Sequence, residues 1–123
     1  MEKEIKIFYA LEAWQKGHLL VLEIYKITKN FPEEEKFGIT SQIRRAAASI
    51  TANIAEGFAR FHFNDKIKFY LNSRGSAAEV QNFLLLTKDL GFINLDICKN
   101  LGSAAAEVRK LINGLIRSIE NQQ

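Results

Sequence analysis

Gln42-Ile43-Arg44-Arg45-Ala46-Ala47-Ala48-Ser49-Ile50-Thr51-Ala52-Asn53-Ile54-Ala55-Glu56-Gly57 is the stretch that decides the fold. Around it, Ile39, Ile43, Ala46, Ala47, Ile50, Ile54 and Gly57 recur at steps of three and four, the period of one helical face. Small residues dominate that face, so a neighbouring backbone can come close. Gln42, Ser49, Asn53 and Glu56 lie beside it. Burying such groups unpaired costs about 1–3 kcal/mol each, so they must be paired, exposed to a partner, or used.

Helical periodicity continues on both sides. The stretch from about Ile7 to Asn30 carries Leu11, Trp14, His18, Val21, Tyr25 and Thr28 in the three–four alternation of a bundle seam, widened by Leu22. Phe31-Pro32 ends it, because a residue before proline is pushed out of the helical region. Glu33, Glu34 and Glu35 form either a solvated acidic turn or favourable negative charge at the start of helix two. That helix begins at Phe37 or Thr40, capped by Thr40 or Ser41, and runs to about Phe61. Gly57 is a late packing glycine or a weak point. His62-Phe63-Asn64 reads as a tight turn, with Asn64 capping helix three. Helix three carries Ile67, Tyr70, Leu71, Arg74, Ala78, Gln81, Leu84, Leu85 and Lys88, and closes at Leu90-Gly91. Asn94 or Asp96 starts helix four, whose seam is Cys98, Leu101, Ala105, Val108, Ile112, Leu115 and Ile119. The last residues, from Asn121, are expected to fray. Four similar helices with short turns pack most simply as an all-α, antiparallel up-down-up-down four-helix bundle, one domain over 1–123.

Composition narrows the function. A hydrophobic fraction of 47% and a charged fraction of 25% are ordinary for a globular chain. One cysteine, Cys98, permits no internal disulfide. No apolar run reaches bilayer length and the first residues carry no apolar signal region, so a cytoplasmic protein without membrane attachment is expected. The net charge of +3 is unevenly spread. From Lys36 to Arg74 there are seven bases and two acids, net +5; the remainder holds ten bases and twelve acids, net −2. Such asymmetry suggests a polyanionic partner.

A turn near Phe63 sets antiparallel partners at residue numbers summing to about 126 or 127. Asn53 then faces Ser73 or Arg74, Ser49 faces Ala77 or Ala78, and Glu56 faces Tyr70 or Leu71. Arg74 comes within reach of Glu56 and Asn53, and the run Arg74-Gly75-Ser76-Ala77-Ala78-Glu79 supplies small and polar groups opposite. Asn53, Glu56, Arg74 and Glu79 are therefore expected to form a polar layer. It is either a structural network that fixes register or a ligand site.

Phe31-Pro32 with Glu35 and Phe37-Gly38, then Gln42-Ile43-Arg44-Arg45-Ala46, Ser49-Ile50, Asn53-Ile54-Ala55-Glu56-Gly57 and Arg60, then Gly75-Ser76 with Glu79 and Leu90-Gly91, form a combined pattern. In that pattern the chain resembles the four-helix-bundle family encoded in intervening sequences of 23S ribosomal RNA genes, with the accessory variability proteins of diversity-generating retroelements as relatives. The resemblance implies an antiparallel bundle assembled as a ring-like homopentamer. In the retroelement branch it implies basic surface that binds nucleic acid and a reverse transcriptase. The chain departs from the pattern at Phe58, Phe61, His62 and Phe63.

Catalytic and metal signatures are missing. His18, His62 and Cys98 have no zinc spacing, and no Glu-x-x-His motif occurs. His18 falls in the apolar seam as a hydrogen-bonded core histidine, and Cys98 as a small core residue. No nucleophile has a base beside it, so neither an enzyme nor a cofactor is expected. Two readings remain. One is an RNA- or DNA-binding accessory module using Arg44, Arg45, Arg60, Lys66 and Lys68, with Phe61, His62 and Phe63 stacking bases. The other is a structural or protein-interaction oligomer, suggested by a second apolar face comprising Ile24, Ile27, Phe69, Phe83, Ile97 and Ile116.

Overall fold

The computed structural model describes residues 4–123. It contains four helices: α1 (Glu12–Thr28), α2 (Ile39–Ala59), α3 (Phe63–Asp89) and α4 (Leu95–Gln122). Single 3-10 turns at Phe8–Ala10 and Glu33–Glu35 precede α1 and α2. No strand occurs among the described residues. Each helix packs on two others, α1 on α2 and α4, and α3 on α2 and α4. Thr28 meets Arg44 while Gly17 meets Thr51. Ser76 meets Ser49 while Tyr70 meets Gly57. Cys98 meets Leu84 while Asn113 meets Arg74. Rising number on one helix pairs with falling number on the next, so sequential neighbours are antiparallel.

The turns fall where the chain chemistry requires. Phe31 is buried and its ring lies 5.5 Å from that of Phe92, which ties the α1–α2 and α3–α4 connections together at one end of the bundle. At the close of α3, Gly91 takes a φ of 81°. Its N–H donates to the Lys88 carbonyl and that of Phe92 to the Thr87 carbonyl, both at 2.9 Å. This paired closure satisfies the final carbonyls and needs a left-handed residue, which glycine supplies without strain. Asn94 caps α4, its Oδ1 accepting from the Ile97 N–H at 2.8 Å. The cap of α2 is not Thr40 or Ser41. Gly38 holds the cap position, and the Glu35 carboxylate reaches forward to accept from the Ile39 N–H at 3.3 Å. The acidic turn thus serves the positive end of α2. Asn64 does not cap α3 either: the helix begins at Phe63, with His62 in the cap position. At the other terminus α4 stays helical to Gln122.

The buried face of α2 is Ile39, Ile43, Ala46, Ala47, Ile50, Ile54 and Gly57, as its periodicity requires. The α4 seam also holds, with Ile116 taking the fully buried position and Leu115 and Ile119 packing at its flank. The other two helices are turned from their expected faces. In α1 the buried residues are Ala13, Gly17, Leu20, Ile24 and Thr28, whereas His18, Leu22 and Tyr25 are exposed and Trp14 and Val21 lie at the margin. Both stripes obey a three–four spacing. The one containing Ala13 and Gly17 wins because small residues let α1 close on Ile50 and Thr51 of α2. His18 is correspondingly no core histidine: it stacks on Trp14 outside, with ring centroids 4.6 Å apart.

In α3 the buried residues are Tyr70, Ser73, Ser76, Ala77, Val80, Leu84 and Thr87, while Leu71, Ala78 and Leu85 face outward. Three hydroxyls can be buried there because each is bonded. Ser73 donates to the Ile50 carbonyl at 2.6 Å, Ser76 to the Asn72 carbonyl at 3.1 Å, and Thr87 to the Phe83 carbonyl at 2.8 Å. Cys98 is buried as expected, with its Sγ 3.6 Å from the Leu84 carbonyl. The proposed second apolar face largely dissolves. Ile24 and Ile116 are core, Ile27, Phe83 and Ile97 pack against it, and Phe69 lies under Arg60.

Candidate functional site

A groove of about 380 Å³ runs along the outer seam of α2 and α3. Gln42, Arg45 and Ser49 line one wall, Ser76 and Glu79 the other, and Phe37 and Phe83 close one end. Its floor exists because Ser76 and Ser49 meet hydroxyl to hydroxyl at 2.9 Å, which draws the two backbones together. Asn53 adds a second layer, donating to the Ser49 carbonyl at 2.8 Å and to its Oγ at 2.9 Å. Arg45 and Glu79 line the groove without forming an ion pair with each other. Phe37, at its mouth, is 90% exposed. Phe37, Gln42, Arg45, Ser49, Ser76 and Glu79 of the sequence pattern therefore meet on one surface.

The expected cluster of Asn53, Glu56 and Arg74 does not form. Ser73 is the α3 residue that turns into α2, so Arg74, about 100° further round the helix, points instead to α4. There its Nη1 donates to Asn113 Oδ1 at 2.9 Å. Glu56 pairs within its own helix, with Arg60 at 2.7 Å, and both side chains are about half exposed. Such a surface pair contributes at most a few tenths of a kcal/mol to about 1 kcal/mol. The polar layer is thus Ser49, Asn53 and Ser76. Gly75, expected to ease helix approach, faces open space.

The five basic candidates also separate. Arg44 is half-buried against α1, its Nε donating to Thr28 Oγ1 at 2.7 Å and its guanidinium lying 4.7 Å from the Tyr25 ring centre. Lys66 caps the end of α2, donating to the Phe58 carbonyl at 2.8 Å and more weakly to that of Gly57 at 3.4 Å. Burial lowers its pKa. Arg60 is held by Glu56 and by the Phe69 ring, 4.7 Å from its guanidinium. Arg45 and Lys68 are exposed and have no hydrogen-bond or ion-pair partner among the described residues. A continuous row of five free cations is therefore not what the fold builds. The aromatic turn is split likewise. Phe61 is 88% exposed, His62 is exposed against its edge, and Phe63 is half-buried at the start of α3.

Gly57 sits against the ring of Tyr70, with a hypothetical Cβ only 2.7 Å from Cε1. Burial pushes the pKa of the Tyr70 phenol up to about 12. Among the described residues no group of three or more His, Cys, Asp or Glu could hold a metal ion. None of the described helices is long and apolar enough to cross a membrane.

A crystal structure of a protein of unknown function from the S23 ribosomal protein family of Bacteroides thetaiotaomicron is similar to this chain, with a TM-score of 0.79 and 24% sequence identity. The match covers 85% of this chain and 95% of that one. At that identity the likeness shows the four-helix fold. No curated protein matches the chain. The family model described as 23S rRNA-intervening sequence protein matches residues 9–114. That span contains α1, α2, α3, most of α4 and every residue of the groove, and on it the chain belongs to the 23S rRNA-intervening sequence protein family.

Proposed function

We propose that the chain is a non-enzymatic, self-assembling interaction module, a homo-oligomer for which the family resemblance favours a pentamer. The observation that carries this reading is the apolar surface left uncovered by the bundle. Phe37 and Phe61 are almost wholly exposed, and Leu19, Leu22, Leu85, Leu86 and Leu95 stand outward from three helices. Isolated exposed leucines are ordinary, but repeated placement on several helices is what subunit surfaces look like. Multi-angle light scattering at micromolar concentration is expected to give a mass five times that of the 14.0 kDa chain. A monomer mass would refute the proposal.

A second reading, an RNA- or DNA-binding accessory role that includes contact with a reverse transcriptase, draws support from Arg45 and Lys68. Both are uncommitted by the fold, and a ring would repeat them in every subunit. The expected binding is electrostatic and sequence-tolerant, with a log–log salt slope near −0.7 per neutralised phosphate on single strands. In a titration of single-stranded RNA, Arg45→Glu with Lys68→Glu should abolish that binding while leaving the fold intact. Equal binding by the charge-reversed variant, or none by the parent at low salt, would eliminate this reading.

A further inference from the structure

Where the α1–α2 connection meets the first turns of α2, a cleft of about 170 Å³ opens. Neither the groove nor the assembly surface uses it. It has room for a phosphate group and opens to solvent. Lys29, Lys36 and Arg44 line it, with Glu33 as the one carboxylate among the lining residues. Three cations against one anion leave an excess of two positive charges, enough to hold a phosphate group as a dianionic monoester or a monoanionic diester.

Two features distinguish this cleft from a chance gathering of surface lysines. Arg44 is fixed before any ligand arrives. Its Nε is bonded to Thr28 Oγ1, and that hydroxyl is itself anchored to the Ile24 carbonyl at 2.8 Å. The Tyr25 ring holds the guanidinium plane. None of these contacts uses the two Nη nitrogens, so the fork that pairs with anion oxygens is left free. Thr40 lies one turn before Arg44 on α2 and lines the same cleft. It is only 8% exposed, and its hydroxyl is buried without a hydrogen-bond partner. A buried hydroxyl is ordinarily satisfied, and an orphan of this kind calls for a partner that the protein itself does not provide.

We propose that this cleft binds a single phosphate group, gripped by the Nη pair of Arg44 and by Lys29 and Lys36, with the Thr40 hydroxyl donating from the floor. The group is either free phosphate or a monoester, or one phosphodiester of a nucleic-acid strand. The proposal does not depend on self-assembly.

Inorganic phosphate titrated into the full chain at low ionic strength, followed by 31P NMR, tests it. Saturable binding is expected, and acetate at equal concentration should not displace the phosphate. Thr40→Val removes the hydroxyl and nearly preserves the side-chain shape, so it should weaken binding about tenfold, the usual worth of one hydrogen bond to a charged group. Lys29→Gln with Lys36→Gln lies on exposed positions and should weaken binding further and flatten its salt dependence. Circular dichroism confirms that each variant is folded. Absence of saturable binding by the parent protein, or binding by both variants at parental strength, would overturn the proposal. A short single-stranded oligonucleotide that displaces the phosphate identifies a phosphodiester site; failure to displace it identifies free phosphate or a monoester.

Discussion

Gly57→Val is expected to lower the unfolding free energy by about 2–3 kcal/mol, through overpacking where α2 lies against Tyr70 of α3. The added Cβ would lie 2.7 Å from Tyr70 Cε1, 2.9 Å from Cδ1 and 3.1 Å from the Phe69 Cβ. Tyr70 is 3% exposed, so moving its ring disturbs the side chains packed around it. Relief requires a shift of that ring or a wider spacing of α2 and α3, and the wider spacing would loosen the nearby Ser73–Ile50 bond. Gly75→Ala is the matched control. Nothing lies within 4 Å of the Cβ it would add, and alanine gains roughly 1 kcal/mol over glycine in a helix interior. Two glycine substitutions in neighbouring helices should thus change stability with opposite signs. Urea denaturation of the three proteins reads the difference directly, and an unshifted midpoint for Gly57→Val would show that the α2–α3 register is wrong.

A comparably large loss, about 2–5 kcal/mol, is expected for Ile24→Ala, because the side chain is wholly buried and its removal leaves a cavity as well as lost apolar burial. Leu22→Ala, two residues away, should stay within about 0.5 kcal/mol of the parent at concentrations where the chain is monomeric. Leu22 is 53% exposed and belongs to the outward side of α1. The pair therefore reports which face of α1 is inside. A reversed order of the two losses would restore the seam through Trp14, His18 and Tyr25. If Leu22→Ala is neutral to folding but lowers the assembled mass, the same substitution also supports the oligomer reading.

The sequence alone determined the helical class, the positions of the turns to within about two residues and the inner faces of α2 and α4. α2 has a single apolar stripe, and in α4 the expected seam is buried or packs at the core's flank, with only Ile116 added to the buried residues from outside it, so periodicity fixes the face of both. Pro32 and Gly91 act through local backbone chemistry, which is legible wherever they occur. The family followed from local patterns too, short runs of neighbouring residues in α2, α3 and the connections beside them.

Rotation of α1 and α3 was settled only by the tertiary structure. α1 carries two apolar stripes of equal spacing, and α3 buries serine and threonine in preference to leucine. Which stripe goes inside depends on how closely the neighbour can approach and whether each hydroxyl finds a carbonyl. Both conditions involve residues distant in sequence, such as Ser73 with Ile50 and Gly17 with Thr51. The sites follow the same division. Sequence identified Arg44, Arg45, Arg60, Lys66 and Lys68 as basic and Glu56 as acidic. It could not show that Arg44 is anchored on α1, that Lys66 caps a helix end, or that Arg74 turns to Asn113. A charged side chain is free or committed according to what the packed helices place within its reach, and that is a property of three-dimensional register.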